Sequence, residues 1–233
     1  MYEMSSSISG RPPRFSREQL AQVAFEIADR EGFGAVSMRR VAQELGAGTM
    51  TLYNYVRTKD ELVALMDDHL MGELLVPEEE LALPWREAFT AILRRSYRMR
   101  VQHPWSLTAL QNAGMGRNAV RHAEQTLTAL EASPFSGDLK FTVMAVTDSF
   151  VDGHALHRAE LAAGEPAELA DGDRARAARE EMASGAYPRM RRHWAELEAW
   201  RPDAAAWMDD SFERGLAALL EGLVRLYSNQ PQH

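Results

Sequence analysis

Apolar residues recur at helical spacing along almost the whole chain, and this periodicity constrains the fold most strongly. The clearest stripes lie at 139–150 and 212–227, where an apolar side chain returns every three or four residues. Glycines and prolines separate these segments, and no stretch alternates polar and apolar residues as a half-buried strand does. The 233 residues, 45% of them hydrophobic, suffice for one or two domains. The sequence therefore predicts an all-α protein.

Local signals predict where several helices begin and end. Ser16 is a suitable N-cap for the first helix, with Gln19 three residues on as its capping-box partner. The acidic segment 78–84 is predicted to be a loop. A longer helix is predicted to follow from about Trp85 to Gln102, ended by His103-Pro104.

Two short helices joined by a tight turn are predicted between Ser37 and Tyr55. Ser37 is a suitable N-cap for the first helix, and Gly46 is placed to end it. The second helix is predicted from about Gly48 to Tyr55, with Leu52 as its apolar anchor. A buried stripe on the first helix would then brace the second, which is the arrangement of a helix-turn-helix.

The predicted second helix leaves five side chains facing outward: Thr49, Met50, Thr51, Tyr53 and Asn54. Hydroxyl, amide and methyl-bearing groups suit the base edges of a DNA major groove. Flanking residues predicted to contact the same DNA are Arg14, Ser37, Arg39, Tyr55, Arg57 and Lys59, of which the last three are placed for phosphates. Between residues 37 and 59 there are four basic side chains and one acidic one, although the whole chain carries a net charge of -8.

Each of the two basic segments also has an interpretation that involves no DNA binding. Residues 37–59 also fit an ordinary helical hairpin with a solvated basic face. Residues 1–14 form either a flexible basic arm that reaches a minor groove through Arg11 and Arg14, or a solubilising tail.

The composition bounds the setting of the protein. The chain has no cysteine, which excludes disulfides and thiolate metal sites and fits a reducing, cytoplasmic location. No apolar run approaches the ~20 residues of a membrane span, and the N-terminal segment lacks the apolar core of a signal peptide. We therefore expect no membrane partner.

The stretch SMRRVAQELGAGTMTLYNYVRTKDELVALM resembles the DNA-binding signature of the tetracycline-repressor family. The matching positions are Val41-Ala42, Leu45-Gly46, Thr51-Leu52-Tyr53, Tyr55-Val56 and Lys59-Asp60-Glu61-Leu62. The upstream AFEIADREGFGAVSM is similar to the family's first helix and its link to the second. Gly48 departs from the Ser or Thr cap that the family often has. The resemblance covers about residues 15–70 and implies a three-helix DNA-binding domain at 15–75, including a connecting helix.

The rest of the chain, 76–230, resembles the family's effector domain through its length, its helical pattern and the turn at 100–105. The resemblance implies a homodimer in which two late helices of each subunit form a four-helix interface. We expect that interface to include Phe150, His154, His157, Phe212, Leu216, Leu219 and Leu223. The family also implies a repressor that binds a palindromic double-stranded operator and leaves it when a small-molecule effector binds. The helix at 58–75 is the expected lever.

Aromatic, methionine and polar residues of the second domain are candidates to line an effector pocket: Met99, His103, Trp105, Met115, Phe141, Met144, Asp148 and Trp194. The same residue types make good core, so we expect only some of them to meet an effector. His154 and His157 could also meet a ligand or a metal. Asp148 and Asp152 lie on another side of that helix, so no metal site and no cofactor are predicted.

A helical-bundle enzyme or metal-binding protein without a DNA role is the alternative from another class. Such an enzyme holds a di-metal site with Glu-x-x-His pairs, and the sequence has none. A glycine-rich phosphate loop and a Gly-x-Ser-x-Gly elbow are also missing from the sequence. The sequence therefore favours a regulator over an enzyme.

Overall fold

The computed structural model describes residues 14–110, 114–163, 172–193 and 204–227, and all regular structure within these ranges is helical. The all-α prediction is thus confirmed. The elements are α1 (Arg17–Glu31), a 3-10 turn (Phe33–Ala35), α2 (Met38–Glu44), α3 (Thr49–Leu52), α4 (Lys59–Leu74), α5 (Glu78–Leu81), α6 (Trp85–Gln102), α7 (Ser106–Ala109), α8 (Arg117–Ala129), α9 (Gly137–Ala163), α10 (Asp173–Ala183) and α11 (Ala204–Tyr227).

The chain divides into two compact units. The first unit contains the described residues up to Glu73 together with those of 108–120, and the second contains those of 74–107 and from 121 onwards. A segment from the middle of the chain therefore belongs with the N-terminal helices.

Capping residues fix where the helices of the first unit begin. The Ser16 hydroxyl accepts a hydrogen bond from the Gln19 amide N–H (3.1 Å), and the Gln19 side chain accepts one from the Ser16 N–H (2.9 Å). The Ser37 hydroxyl accepts from the Arg40 N–H (3.2 Å) at the start of α2. Both caps were predicted and are confirmed. The core below them is sealed, with these side chains fully buried: Leu20, Ile27, Val41, Leu52, Leu62 and Met66.

Two predicted element bounds are wrong. The third helix was expected to reach Tyr55, but α3 ends at Leu52 and residues 53–55 form a turn. The Tyr55 N–H donates to the Leu52 carbonyl three residues back (2.8 Å), which tightens the helix into the turn. The acidic segment 78–84 was expected to be a loop, but it contains α5, whose glutamates lie in the helix's first turn, where the helix dipole favours them.

The second unit packs around aromatic side chains on α6, α9 and α11. The rings of Tyr97 and Phe212 stack 3.9 Å apart with an interplanar angle of 7°. A Cβ at Gly215 would lie 2.7 Å from the Phe150 ring, so glycine at this position lets α9 and α11 approach closely. Among the described residues, no helix is long and apolar enough to span a membrane.

Candidate nucleic-acid interface and a polar cluster

The turn between α2 and α3 is held by backbone geometry. Gly46 has a φ of +61°, a conformation that favours glycine, and the Ala47 N–H donates to the Ala42 carbonyl (2.9 Å). Leu52 at the end of α3 and Val56 just after it are fully buried and anchor the element. No side chain caps α3, because Gly48 occupies its N-cap.

The side chains that the sequence predicted to face outward lie on α3 and on the turn that follows it. Met50 is 78% exposed and Tyr53 is 43% exposed. Asn54 is exposed too, while Thr49 and Thr51 are half-buried at the edge of the helix. These five residues present hydroxyl, amide and thioether groups at the end of the helix-turn-helix, and such groups are suited to the edges of bases.

The cations near α3 differ in what holds them. Arg40 bonds to both Glu31 (2.6 Å) and Glu44 (2.5 Å), and the Arg40 hydrogen bond to Glu31, followed by that of Arg30, lowers the pKa of the Glu31 carboxyl to about 2. The charge of Arg40 is therefore balanced within the protein. Arg39 is exposed and forms no ion pair within the described part of the chain.

The remaining predicted DNA contacts are placed around the turn and the start of α4. Lys59 is exposed, and its ammonium lies 5.3 Å from the centre of the Phe33 ring. Arg14 is exposed and donates to the Gly46 carbonyl (3.3 Å). Tyr55 is half-buried, and its hydroxyl accepts from the Phe15 N–H (3.3 Å), which leaves its own proton to donate.

The residues predicted to line an effector pocket differ in their exposure. Met99 is buried in the core, His103, Trp105 and Met144 are half-buried, and Met115, Phe141 and Asp148 are exposed; Trp194 lies outside the described residues. Met115 belongs to the first unit, whereas the others that are described belong to the second. Met144 and Asp148 are one turn apart on α9 and so share a side of it.

Beside Asp148 the structure gathers polar residues that sequence reasoning missed or left unused. Arg100 on α6 forms an ion pair with Asp152 on α9. Burial, and secondly the charge of Arg100, lowers the pKa of His122 on α8 to about 4. Desolvation by the surrounding protein raises the pKa of the Asp148 carboxyl, although the residue as a whole is exposed. The four-residue spacing of Asp148 and Asp152 was the only sequence signal, since periodicity within one helix cannot show which residues another helix brings near.

The predicted dimer-interface residues fall into three groups by exposure. Phe212, Leu216 and Leu223 are buried within their own chain; Phe150, His154 and Leu219 are half-buried, and His157 is exposed. The outward sides of the same two helices present small and apolar residues instead: Ala145, Ser149 and Leu156 on α9, and Ala218 and Leu226 on α11.

A helix-turn-helix with exposed polar side chains, joined to a second helical unit, is the architecture of a transcription regulator. Residues 20–66 match the family model described as bacterial regulatory proteins, tetR family, and residues 77–227 match the model for the tetracyclin repressor-like C-terminal domain. The chain belongs to the tetracycline-repressor family of ligand-responsive transcriptional repressors. The predicted resemblance is thus confirmed.

Individual relatives agree with this assignment. The chain is 32% identical to the HTH-type transcriptional repressor DrrR1 of Streptomyces coeruleorubidus, over 95% of this chain and 82% of that protein. The structure of apo ActR from Streptomyces coelicolor is similar with a TM-score of 0.68 and 26% identity, over 93% of this chain and 97% of that one. ActR has also been solved in complex with actinorhodin, with a TM-score of 0.68, 24% identity and the same 93% of this chain covered. The family and these relatives are regulators, which confirms the prediction of a regulator over an enzyme.

Proposed function

We propose that the protein acts in the cytoplasm as a homodimer on a palindromic DNA operator and leaves it when a small molecule binds. In this proposal residues 15–75 bind the DNA and residues 76–230 bind the effector and the second subunit. Exposed Met50, Tyr53 and Asn54, with Thr49 and Thr51 beside them, contact base edges. Arg14, Ser37, Arg39, Tyr55 and Lys59 contact the backbone, where cations and hydrogen-bond donors position a protein on a duplex.

The observation that carries the proposal is the exposed surface of α3 and the turn after it, held in place by buried Leu52 and Val56. Leu52 and Val56 hold the element in place, so its five outward side chains need no further role in folding. Nearby cations of the same unit are also exposed, whereas Arg40 is neutralised by two glutamates. A phosphate backbone laid along this surface would therefore meet cations that are free to pair with it.

Dimerisation is proposed through the outward sides of α9 and α11. Ala145, Ser149 and Ala218 are exposed and short, so a second pair of helices can approach closely, while Leu156 and Leu226 supply exposed apolar area at 42% and 68% exposure. A two-fold dimer presents its two α3 elements to two half-sites, with centres about 34 Å apart on the DNA.

The effector is proposed to bind in the second unit, since ActR, which has a similar fold, has been solved with actinorhodin. Of the predicted pocket residues, Met144 and Asp148 on one side of α9 are the two most strongly proposed to contact the effector. In this proposal the effector binds more tightly to a dimer whose α3 elements are spaced differently from those of the DNA-bound dimer. The difference in effector binding free energy between the two dimer forms is the most by which the effector can weaken operator binding. The helix at 58–75 remains the proposed lever.

Leu156→Arg tests the dimer on which the proposal depends. The charge would be buried in the interface, so sedimentation should show a monomer, and operator affinity should fall roughly a hundredfold as the two half-site contacts separate. Leu83→Arg is the matched control, because Leu83 is 43% exposed and lies on neither α9 nor α11. A dimeric Leu156→Arg protein with unchanged affinity would contradict the proposed interface.

A further inference from the structure

Three helices of the second unit bring ionisable side chains together at one place. Arg100 comes from α6, His122 from α8, and Asp148 and Asp152 from α9. Arg100 and Asp152 form an ion pair, and the Arg100 charge is close enough to affect both His122 and Asp148. Such a convergence of ionisable groups from separate elements is more typical of a binding site than of a core.

Three polar side-chain atoms of this cluster are buried without a hydrogen-bond partner among the described residues, and one of them, Asp152 Oδ1, lies in the ion pair with Arg100. Arg100 Nη1 and His122 Nδ1 are closed to solvent, and neither has a partner among the described residues. An unpaired buried donor or acceptor costs about 1–3 kcal/mol, so native structures almost always supply one, as protein, water or ligand. Asp152 has the Arg100 charge beside it, so Arg100 Nη1 and His122 Nδ1 are the donor and the acceptor that the described residues leave unpaired.

The chemistry of the missing group follows from what the two atoms need. A guanidinium N–H needs an acceptor. Burial lowers the pKa of His122 to about 4, so its ring is neutral near pH 7 and Nδ1 can accept a proton donor. One hydroxyl group meets both needs, because its oxygen accepts from Arg100 while its proton is donated to His122.

Other ligand groups fit this place less well. An ammonium cannot accept from Arg100 and is repelled by its charge. A carboxylate would be a third carboxyl group beside Asp148 and Asp152, and the Arg100 charge that could attract it is already paired with Asp152. The pKa of Asp148 is raised by desolvation even though the Arg100 charge lowers it, and the Asp152 charge raises it further. A neutral but acidic hydroxyl avoids both penalties.

The surroundings favour an aromatic carrier for that hydroxyl. Met144 is half-buried one turn from Asp148 on α9, and Phe141, a further turn away along the same side of the helix, is 63% exposed. Asp148 itself is exposed although the surrounding protein raises its pKa, which places it at an opening and not in sealed core. A flat ring can lie against the methionine and the aromatic side chain.

We propose that Arg100 and His122 bind a phenolic hydroxyl of the effector, with Asp148 excluding anionic ligands. This inference rests on the proposed function and narrows its effector to hydroxyarenes. It assigns Arg100 as donor to the ligand oxygen, His122 as acceptor of its proton, and Asp152 as the residue that orients Arg100.

Calorimetric titration of the full chain with four naphthalenes tests the proposal. The probes are 2-naphthol, 2-methoxynaphthalene, 2-naphthoate and 2-naphthylamine, which share one ring system. 2-Naphthol should bind about tenfold or more tightly than the others, the size of one charge-assisted hydrogen bond. Arg100→Met and His122→Phe should reduce this preference to about twofold or less, whereas Arg98→Met, an exposed arginine on the same helix, should keep it.

Asp148→Asn is expected to improve the binding of one probe, a result that a misfolded variant would not give. Removing one negative charge should improve 2-naphthoate binding about tenfold, the equivalent of one pKa unit. The proposal is overturned if 2-naphthol does not bind, if 2-naphthoate binds best to the unaltered protein, or if Arg100→Met and His122→Phe retain the preference. These titrations contain no DNA, so their failure leaves the operator-binding proposal intact, and failure to bind DNA leaves the titrations interpretable.

Discussion

Arg40 and Lys59 lie in the same unit and carry the same charge, but they differ in what they can bind. Arg40 is held by Glu31 and Glu44, and its guanidinium would have to give up both carboxylates to reach a phosphate. Lys59 is exposed and rests against the Phe33 ring, a contact that leaves the ammonium accessible. The number of phosphates that the protein contacts therefore depends on which cations are unpaired in the fold, more than on the total number of cations.

Lys59→Ala should weaken binding to all DNA sequences alike. The change removes one phosphate contact, so the slope of log affinity against log salt concentration should fall by about 1. Filter-binding or anisotropy titrations at several salt concentrations measure it. Arg40→Ala is the matched control and should leave the slope nearly unchanged; an altered base preference with an unchanged slope for Lys59→Ala would refute the phosphate assignment.

His122 should make the stability of the protein depend on pH. Its pKa is lowered from 6.5 to about 4 in the folded state, so the unfolded state binds more protons between these values. The contribution of His122 is complete above about pH 6.5 and is lost as pH falls towards 4. Between pH 7 and pH 5 the loss should be about 1–2 kcal/mol in urea unfolding.

His122→Gln should remove that part of the pH dependence, because glutamine does not titrate. Comparing the two proteins at one concentration isolates the histidine from other titrating groups. Parallel stability profiles for the two proteins from pH 7 to pH 5 would show that His122 is not buried in its neutral form.

At the residue scale the sequence predicted which side chains are exposed better than it predicted which residues contact one another. Met50, Tyr53 and Asn54 were expected to face outward and do, because Leu52 defines the buried side of a short helix. Arg100 and His122 were not identified, since α6 and α8 come together only in the fold. Contacts between residues on different helices produce no periodic pattern in a single sequence, so they could not be predicted from it.

Helices of the first unit depend on their neighbours more than on their own propensity. α3 has four residues, too few for an isolated helix, and the burial of Leu52 and Val56 keeps it in place. The N-terminus of α8 is stabilised in another way. Its Asn118 N–H donates to the Asp68 carboxylate of α4 (2.7 Å), and the Asn118 amide donates to the Asp68 carbonyl (2.9 Å).

Asp68→Ala should destabilise the start of α8 by about 1 kcal/mol. The variant removes the acceptor of an N–H that has no partner within its own helix, which is equivalent to the loss of an N-cap. Urea unfolding measures the effect, and Asp60→Ala, an exposed aspartate on the same helix, is the control. Equal effects of the two changes would show that the Asp68 contact adds no stability of its own.

At the scale of elements, caps and stripes predicted most bounds. α6 runs over Trp85–Gln102 as expected, because an apolar stripe defines its length and His103-Pro104 ends it. The bounds of α3 were wrong, since the turn at 53–55 continues helix-like hydrogen bonds in a tighter form. Residues in such a turn have the same composition as a helix end, so the pattern does not separate them.

The whole molecule is built from two compact units, and helices run from one unit into the other. α8 begins in the first unit and continues into the second, where His122 lies. The family and the all-helical architecture could be predicted from sequence, because the signature at 37–62 is local and helical periodicity is strong. Membership of 108–120 in the first unit could not, since it depends on contacts between distant segments such as Asp68 and Asn118.

Selection of binding sites from random duplex DNA tests the central claim most directly, because it needs neither the effector nor the natural operator. The account predicts an inverted repeat whose half-site centres lie about one helical turn apart. Asn54→Ala should weaken the base preference at one position of each half-site. The discrimination lost there should be about 1–3 kcal/mol. Recovery of no shared motif would contradict base recognition by this surface. Recovery of the same motif by Asn54→Ala and by alanine variants of Thr49, Met50, Thr51 and Tyr53 would contradict it too.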